Sequence, residues 1–153
     1  MRKHTKRKIW STQINTVLHA ITGAAITPRQ TLDKLRLTEY TALEAMVKGK
    51  GTIQDWRTLV DLLNLSEMLG KSGIGPEVLP VCQKVQEGMH KAAMRYQSTL
   101  QMGLDGETIK NIRELLEYAD LQQGSITRSE FEKYVKKTSD YIRSNGNLVV
   151  EIE

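Results

Sequence analysis

An all-α domain built as a five-helix bundle is the fold this sequence predicts, on three observations. Five stretches carry apolar residues at i, i+3, i+4, i+7 spacing, which puts them on one face of a helix. Each stretch ends at glycine or asparagine, and most open on a threonine or aspartate suited to capping. Alternating strand patterns are confined to the last few residues. The 153 residues suffice for one domain with a core of its own, and 39% hydrophobic content is that of a folded chain rather than a disordered one. The expected organisation is a basic arm over residues 1–26, a helical domain over 27–146 and a short extended tail over 147–153.

Residues 1–26 hold no clean period. Ile9, Trp10, Ile14, Val17, Leu18, Ile21 and Ile26 suit an extended arm or a short helix laid across the bundle, with Gly23 marking a bend. The first confident helix opens with Thr27 as cap and Pro28 at the first helical position. Its stripe is Leu32, Leu35, Tyr40, Leu43, Met46 and Val47, and the spacing slips near Leu37 and Thr38, where a break is expected. Gly49 and Gly51 end it.

Thr52 caps the second helix, with Asp55 three residues on as a short version of the Ser/Thr-x-x-Glu box. Trp56, Leu59, Val60, Leu62, Leu63 and Leu69 form its buried face, and Gly70 marks its end. The following connection is short, so the next helix should return antiparallel. Residues 74–102 make the longest periodic stretch, through Val78, Leu79, Cys82, Val85, Met89, Ala92, Ala93, Tyr96 and Leu100. A helix of about 25 residues there would run close to 40 Å and act as the spine of the bundle. Asp105 caps the fourth helix, whose core face is Ile109, Ile112, Leu115, Leu116 and Ala119. Thr127 with Glu130 is the clearest capping box, flanked by Ile126 and Phe131 as a hydrophobic staple. The fifth helix follows, with Phe131, Tyr134, Val135, Tyr141 and Ile142 on its apolar side.

Motifs of enzyme chemistry are not found: no Gly-x-Ser-x-Gly elbow, no His-Glu-x-x-His and no phosphate loop. Cys82 is the single cysteine, so it forms no internal disulfide and offers no ligand pair for zinc. It reads as a small buried residue, two turns from His90 and out of reach of it. Glu114, Glu117 and Asp120 read as a solvated acidic face rather than a metal site. No cofactor, metal or catalytic residue is therefore expected. No run approaches the length of a membrane span, and the stretch after the charged start is too polar for a signal peptide.

Charge is unevenly distributed. Residues 1–32 carry Arg2, Lys3, Lys6, Arg7, Lys8 and Arg29 with no acid, a net +6, whereas the other 16 basic and all 18 acidic residues leave −2 on the rest. The arm, with Trp10 beside its basic run, has the make-up of a segment that meets an acidic surface or tracks phosphates. Two loops add candidates. Lys48-Gly-Lys-Gly-Thr52 and Gly70-Lys-Ser-Gly-Ile-Gly-Pro76 place Lys48, Lys50, Thr52 and Lys71 just before helix starts, where free amides attract anions. Antiparallel packing puts the two loops at opposite ends of the second helix, about 27 Å apart.

The runs LEAMVKGKGTIQDW from Leu43 to Trp56, Gly73-Ile-Gly75, Gly103-Leu-Asp-Gly106 and IRELLEYADLQ from Ile112 to Gln122 resemble a group of small helical proteins encoded in phages and prophages of proteobacteria. The shared positions are helix-boundary glycines and core residues, so the resemblance brings no catalytic residue. It implies a non-enzymatic accessory protein of the bacterial cytosol that binds a host factor, with inhibition of a host defence system as the concrete form. The implied partner is a host protein or a protein–nucleic acid complex. A DNA-binding regulator using the arm and a protein that sequesters an anionic nucleotide signal are the alternatives. A homodimer through the spine helix is a further expectation.

Overall fold

The computed structural model describes residues 29–145. The arm, with Arg2, Lys3, Lys6, Arg7, Lys8 and Trp10, the Thr27–Pro28 cap and the tail over 147–153 lie outside the described residues. Five α-helices follow in order: α1 Arg29–Val47, α2 Ile53–Lys71, α3 Leu79–Thr99, α4 Gly106–Gly124 and α5 Arg128–Asn145. A 3-10 turn, Pro76–Val78, precedes α3. A β-bridge between Gly51 and Met102 ties the α1–α2 loop to the α3–α4 loop. No helix of the described residues is long and apolar enough to cross a membrane.

The start of α2 follows from its sequence. The Thr52 side chain accepts from Asp55 N at 3.1 Å while Asp55 Oδ2 accepts from Thr52 N at 2.8 Å, the reciprocal capping box. All six residues of its expected face are buried, and Trp56 Nε1 donates to the Met89 carbonyl of α3 at 3.1 Å. Its end is a Schellman turn: Ile74 N donates to Leu69 O and Gly73 N to Gly70 O, with Gly73 at φ +88°, a conformation that favours glycine. Helix α4 starts on Asp105, whose Oδ1 accepts from Thr108 N at 2.7 Å; hydrogen bonding to the Thr108 side chain, and then to its backbone amide, lowers the Asp105 pKa.

Several expectations are corrected. The expected spine divides into the 3-10 turn and the 21-residue α3, about 32 Å long and only two residues longer than its neighbours α2 and α4. Pro80 in the first turn of α3 sets the later start. The helix that organises the bundle is α2, which packs against each of the other four. Leu100, placed on the apolar stripe, is instead 79% exposed at the left-handed C-cap of α3.

Helix α1 runs without the expected break. Its buried positions are Leu32, Arg36, Glu39, Ala42, Leu43 and Met46, each three or four residues from another on the same face. That is an unbroken helical stripe passing through two charged residues, so apolar spacing alone registers a slip. Tyr40 and Val47 are exposed and Leu35 is half-buried. On α5 the expected apolar side is half-buried or exposed, and Thr138 is its buried residue. The helix packs chiefly on α2, too narrow a support to cover a full stripe.

Candidate functional site

The two lysine loops sit at opposite ends of α2, about 28 Å apart at 1.5 Å per residue. At the first, Lys48 and Lys50 are exposed, but the backbone amides of residues 48–51 donate to Glu44 O, Met46 O, Ala45 O and Met102 O, and the Thr52 amide to Asp55. The Asp55 carboxylate already occupies the helix start. This loop therefore offers an anion two ammonium groups and no backbone cradle. At the second, the amides of Ser72, Gly73 and Ile74 turn back onto α2. Lys71 is paired with Glu67, and hydrogen bonding to that carboxylate raises its pKa. A cleft of about 690 Å³ beside it is lined by Glu67, Cys82, Glu87 and His90 among others. Cys82 is buried at its base, and burial pushes the thiol up to about 12, which leaves it protonated.

A third feature, on the α1–α4 face, was not anticipated. Arg36 and Glu39 are buried there, with Arg36 Nη1 donating to Glu39 Oε2 at 2.8 Å. Arg36 Nη2 also donates to Gln123 Oε1 of α4. Burial pushes the Glu39 carboxyl up to about 7, against the downward pull of Arg36 and aided by the Asp120 charge. Asp120 is thus more than part of a solvated face: its Oδ2 accepts from Arg29 Nη1 at 2.9 Å, and its Oδ1 lies 4.0 Å from Arg36 Nε. Arg29 also pairs with Asp33.

Above this network lies a groove of about 580 Å³ between α1 and α4, walled by Leu37 and Tyr40 on one side and Leu116 and Leu121 on the other. Leu37 is 68% and Leu121 70% exposed. One end of the groove is Arg29, the residue at which residues 1–28 join the described structure. Gln122 fixes that end: its Nε2 donates to Ile74 O at 2.8 Å and to Ser66 O at 3.2 Å, tying α4 to the end of α2. So the root of the arm shares an end of the bundle with Lys71, and Lys48 and Lys50 lie at the other. The signal for this face was present in the sequence as the apparent slip in α1 together with unabsorbed leucines at 37 and 121. No protein-family model, no curated protein and no solved structure matches the chain.

Proposed function

We propose that this protein is a non-enzymatic accessory protein of phage or prophage origin that works in the bacterial cytosol by binding and occluding a host factor, most concretely a component of a defence system. The observation that carries the reading is charge segregation: five basic residues, Arg2, Lys3, Lys6, Arg7 and Lys8, precede Trp10 with no acid near them, on a chain whose remainder is close to neutral. The groove at the root of the arm supports it, since exposed leucines beside a cationic segment suit a partner that is acidic outside and apolar at its centre. Sequence resemblance to phage and prophage proteins supplies the setting.

The same charge density favours nucleic acid as a second reading, in which the arm tracks phosphates and Trp10 stacks on bases. One experiment separates the two. The full chain and a chain starting at Ile9 are compared for capture of host proteins from lysate and for binding of duplex DNA across a salt series. Protein capture that needs residues 1–8 and persists without nucleic acid supports the first reading. DNA binding with a steep salt slope that vanishes on trimming supports the second, and equal binding by both chains overturns the role of the arm in either.

A further inference from the structure

We propose that the face formed by α1 and α4 is where a second copy of this chain docks, the two copies related by a two-fold axis that crosses α4 level with Leu115. On α4, Gly106, Lys110, Arg113, Glu117, Asp120 and Gly124 follow at intervals of four, three, four, three and four residues and face water, Asp120 partly. At 100° per residue they fall within an arc of about 80°, so they form one stripe. Its charges run two positive and then two negative between terminal glycines. Residues 110 and 120, 113 and 117, and 106 and 124 lie equally far from 115, so the stripe is a palindrome with its signs inverted.

Such a stripe complements itself when reversed. Antiparallel pairing sets Lys110 against Asp120 of the second copy and Arg113 against Glu117 of the second copy, in the successive layers of an antiparallel helix pair, and the two-fold axis repeats both contacts. Parallel pairing would instead set each basic residue against itself, a like-charge contact. A Cβ built on Gly106 or Gly124 meets nothing within 4 Å, so both ends of the stripe leave room for a second helix. Apolar surface lies where the same axis needs it. The Arg29–Asp120 pair and the Gly51–Met102 bridge run α1 antiparallel to α4 and put Leu37 level with Leu115 to within a turn. Leu37, exposed beside Tyr40 on the wall of the groove, thus comes close to the axis and meets Leu37 of the second copy. Exposed ion pairs individually contribute little in water, so the charges set the register while Leu37 and Tyr40 supply apolar contact, and the dimer is weak and salt-sensitive. On the reading proposed above, a host factor seated in the groove would displace the second copy; the pairing itself does not depend on that reading, and the purified protein alone tests it.

Sedimentation of the purified full chain over a concentration series is the test, with circular dichroism to verify that each variant folds. The wild type should sediment as a monomer–dimer equilibrium whose dissociation constant rises with salt. Arg113→Glu and Glu117→Arg, each alone, replace attraction by repulsion at two symmetry-related contacts and should each raise that constant at least about tenfold. The combined Arg113→Glu/Glu117→Arg chain should recover dimerisation, and an equimolar mixture of the two single variants should form a heterodimer, results that damage to the fold by either change would not give. Leu37→Asp should dissociate the dimer in both the wild-type and the charge-swapped chain. The pairing is overturned if the wild type stays monomeric throughout the series, if the single charge reversals dimerise as the wild type does, or if the combined variant stays monomeric while folded.

Discussion

Glu39 lies one turn beyond Arg36 on α1, and the two form a 2.8 Å ion pair with side chains 4% and 8% exposed. Desolvation outweighs that pairing for Glu39, whose carboxyl titrates near 7 rather than near 4.5. A carboxyl raised on folding binds its proton more tightly in the folded state. Its contribution to stability is therefore complete below about pH 4.5 and is lost as pH rises to about 7, after which it stays constant. The loss amounts to about 3 kcal/mol. Denaturant unfolding at a series of pH values should show this fall in the wild type and not in Glu39→Gln. Asp120→Asn, which removes a neighbouring negative charge, should move the window to lower pH. Parallel pH profiles for wild type and Glu39→Gln would refute the assignment.

Gly88 of α3 faces Thr108 of α4 so closely that a Cβ on the glycine would stand 2.1 Å from Thr108 Oγ1 and 2.8 Å from its Cβ. Both residues are buried, so the helices cannot part without opening the core. Gly88→Ala should destabilise by about 1–3 kcal/mol despite the better helix propensity of alanine. Adding Thr108→Ala should recover part of the loss, and the coupling in a double-mutant cycle checks that the clash is the cause.

Leu100 caps α3 at φ +58° with its side chain almost wholly in water. A β-carbon in that conformation costs about 1–2 kcal/mol, and at this exposure no packing is available to offset it. Leu100→Gly should therefore stabilise the protein, by up to about 1 kcal/mol once the extra freedom of glycine in the unfolded chain is counted. Thermal unfolding reads the change directly, and a lower midpoint would contradict it.

These cases mark what the residues disclosed and what they withheld. Helix boundaries were legible because caps act locally: Thr52 with Asp55 and Thr127 with Glu130 close boxes three residues apart, as their spacing predicts. The path of α1 was not, since Arg36 is buried against Gln123 of a helix some ninety residues later in the chain and Glu39 is buried as the partner of Arg36, and a local period cannot register such a contact. The prominence of α3 was overread for a related reason. Apolar length measures how much a helix must hide, whereas the central place of α2 depends on how many neighbours surround it. Lys71, expected in the connection before the next helix, is instead the last residue of α2, and the amides of both loops are engaged by carbonyls that the sequence does not identify as neighbours.

Cys82 provides a chemical readout of the core. With the thiol pushed up to about 12 by burial, its thiolate population near neutral pH is lower by about a thousandfold than that of an exposed cysteine. Alkylation by iodoacetamide should be negligible in the native protein and rapid in denaturant, so its rate at intermediate denaturant follows opening of the α2–α3 seam. Rapid labelling of the native protein would show that the cleft beside Lys71 exposes the sulfur.

The two threonine caps should behave differently although their chemistry is the same. Thr52 starts α2, which every other helix packs against, so Thr52→Ala should lower global stability by about 1 kcal/mol and shift the denaturation midpoint. Thr127 starts α5, whose apolar residues are at best half-buried and which packs chiefly on α2. Loss of that cap should appear as faster amide exchange confined to α5, with little change in the global midpoint, because a peripheral helix can open without the rest of the bundle. If Thr127→Ala instead lowered the global midpoint as much as Thr52→Ala, α5 would have to unfold together with the core, and the hierarchy of helices around α2 would not hold.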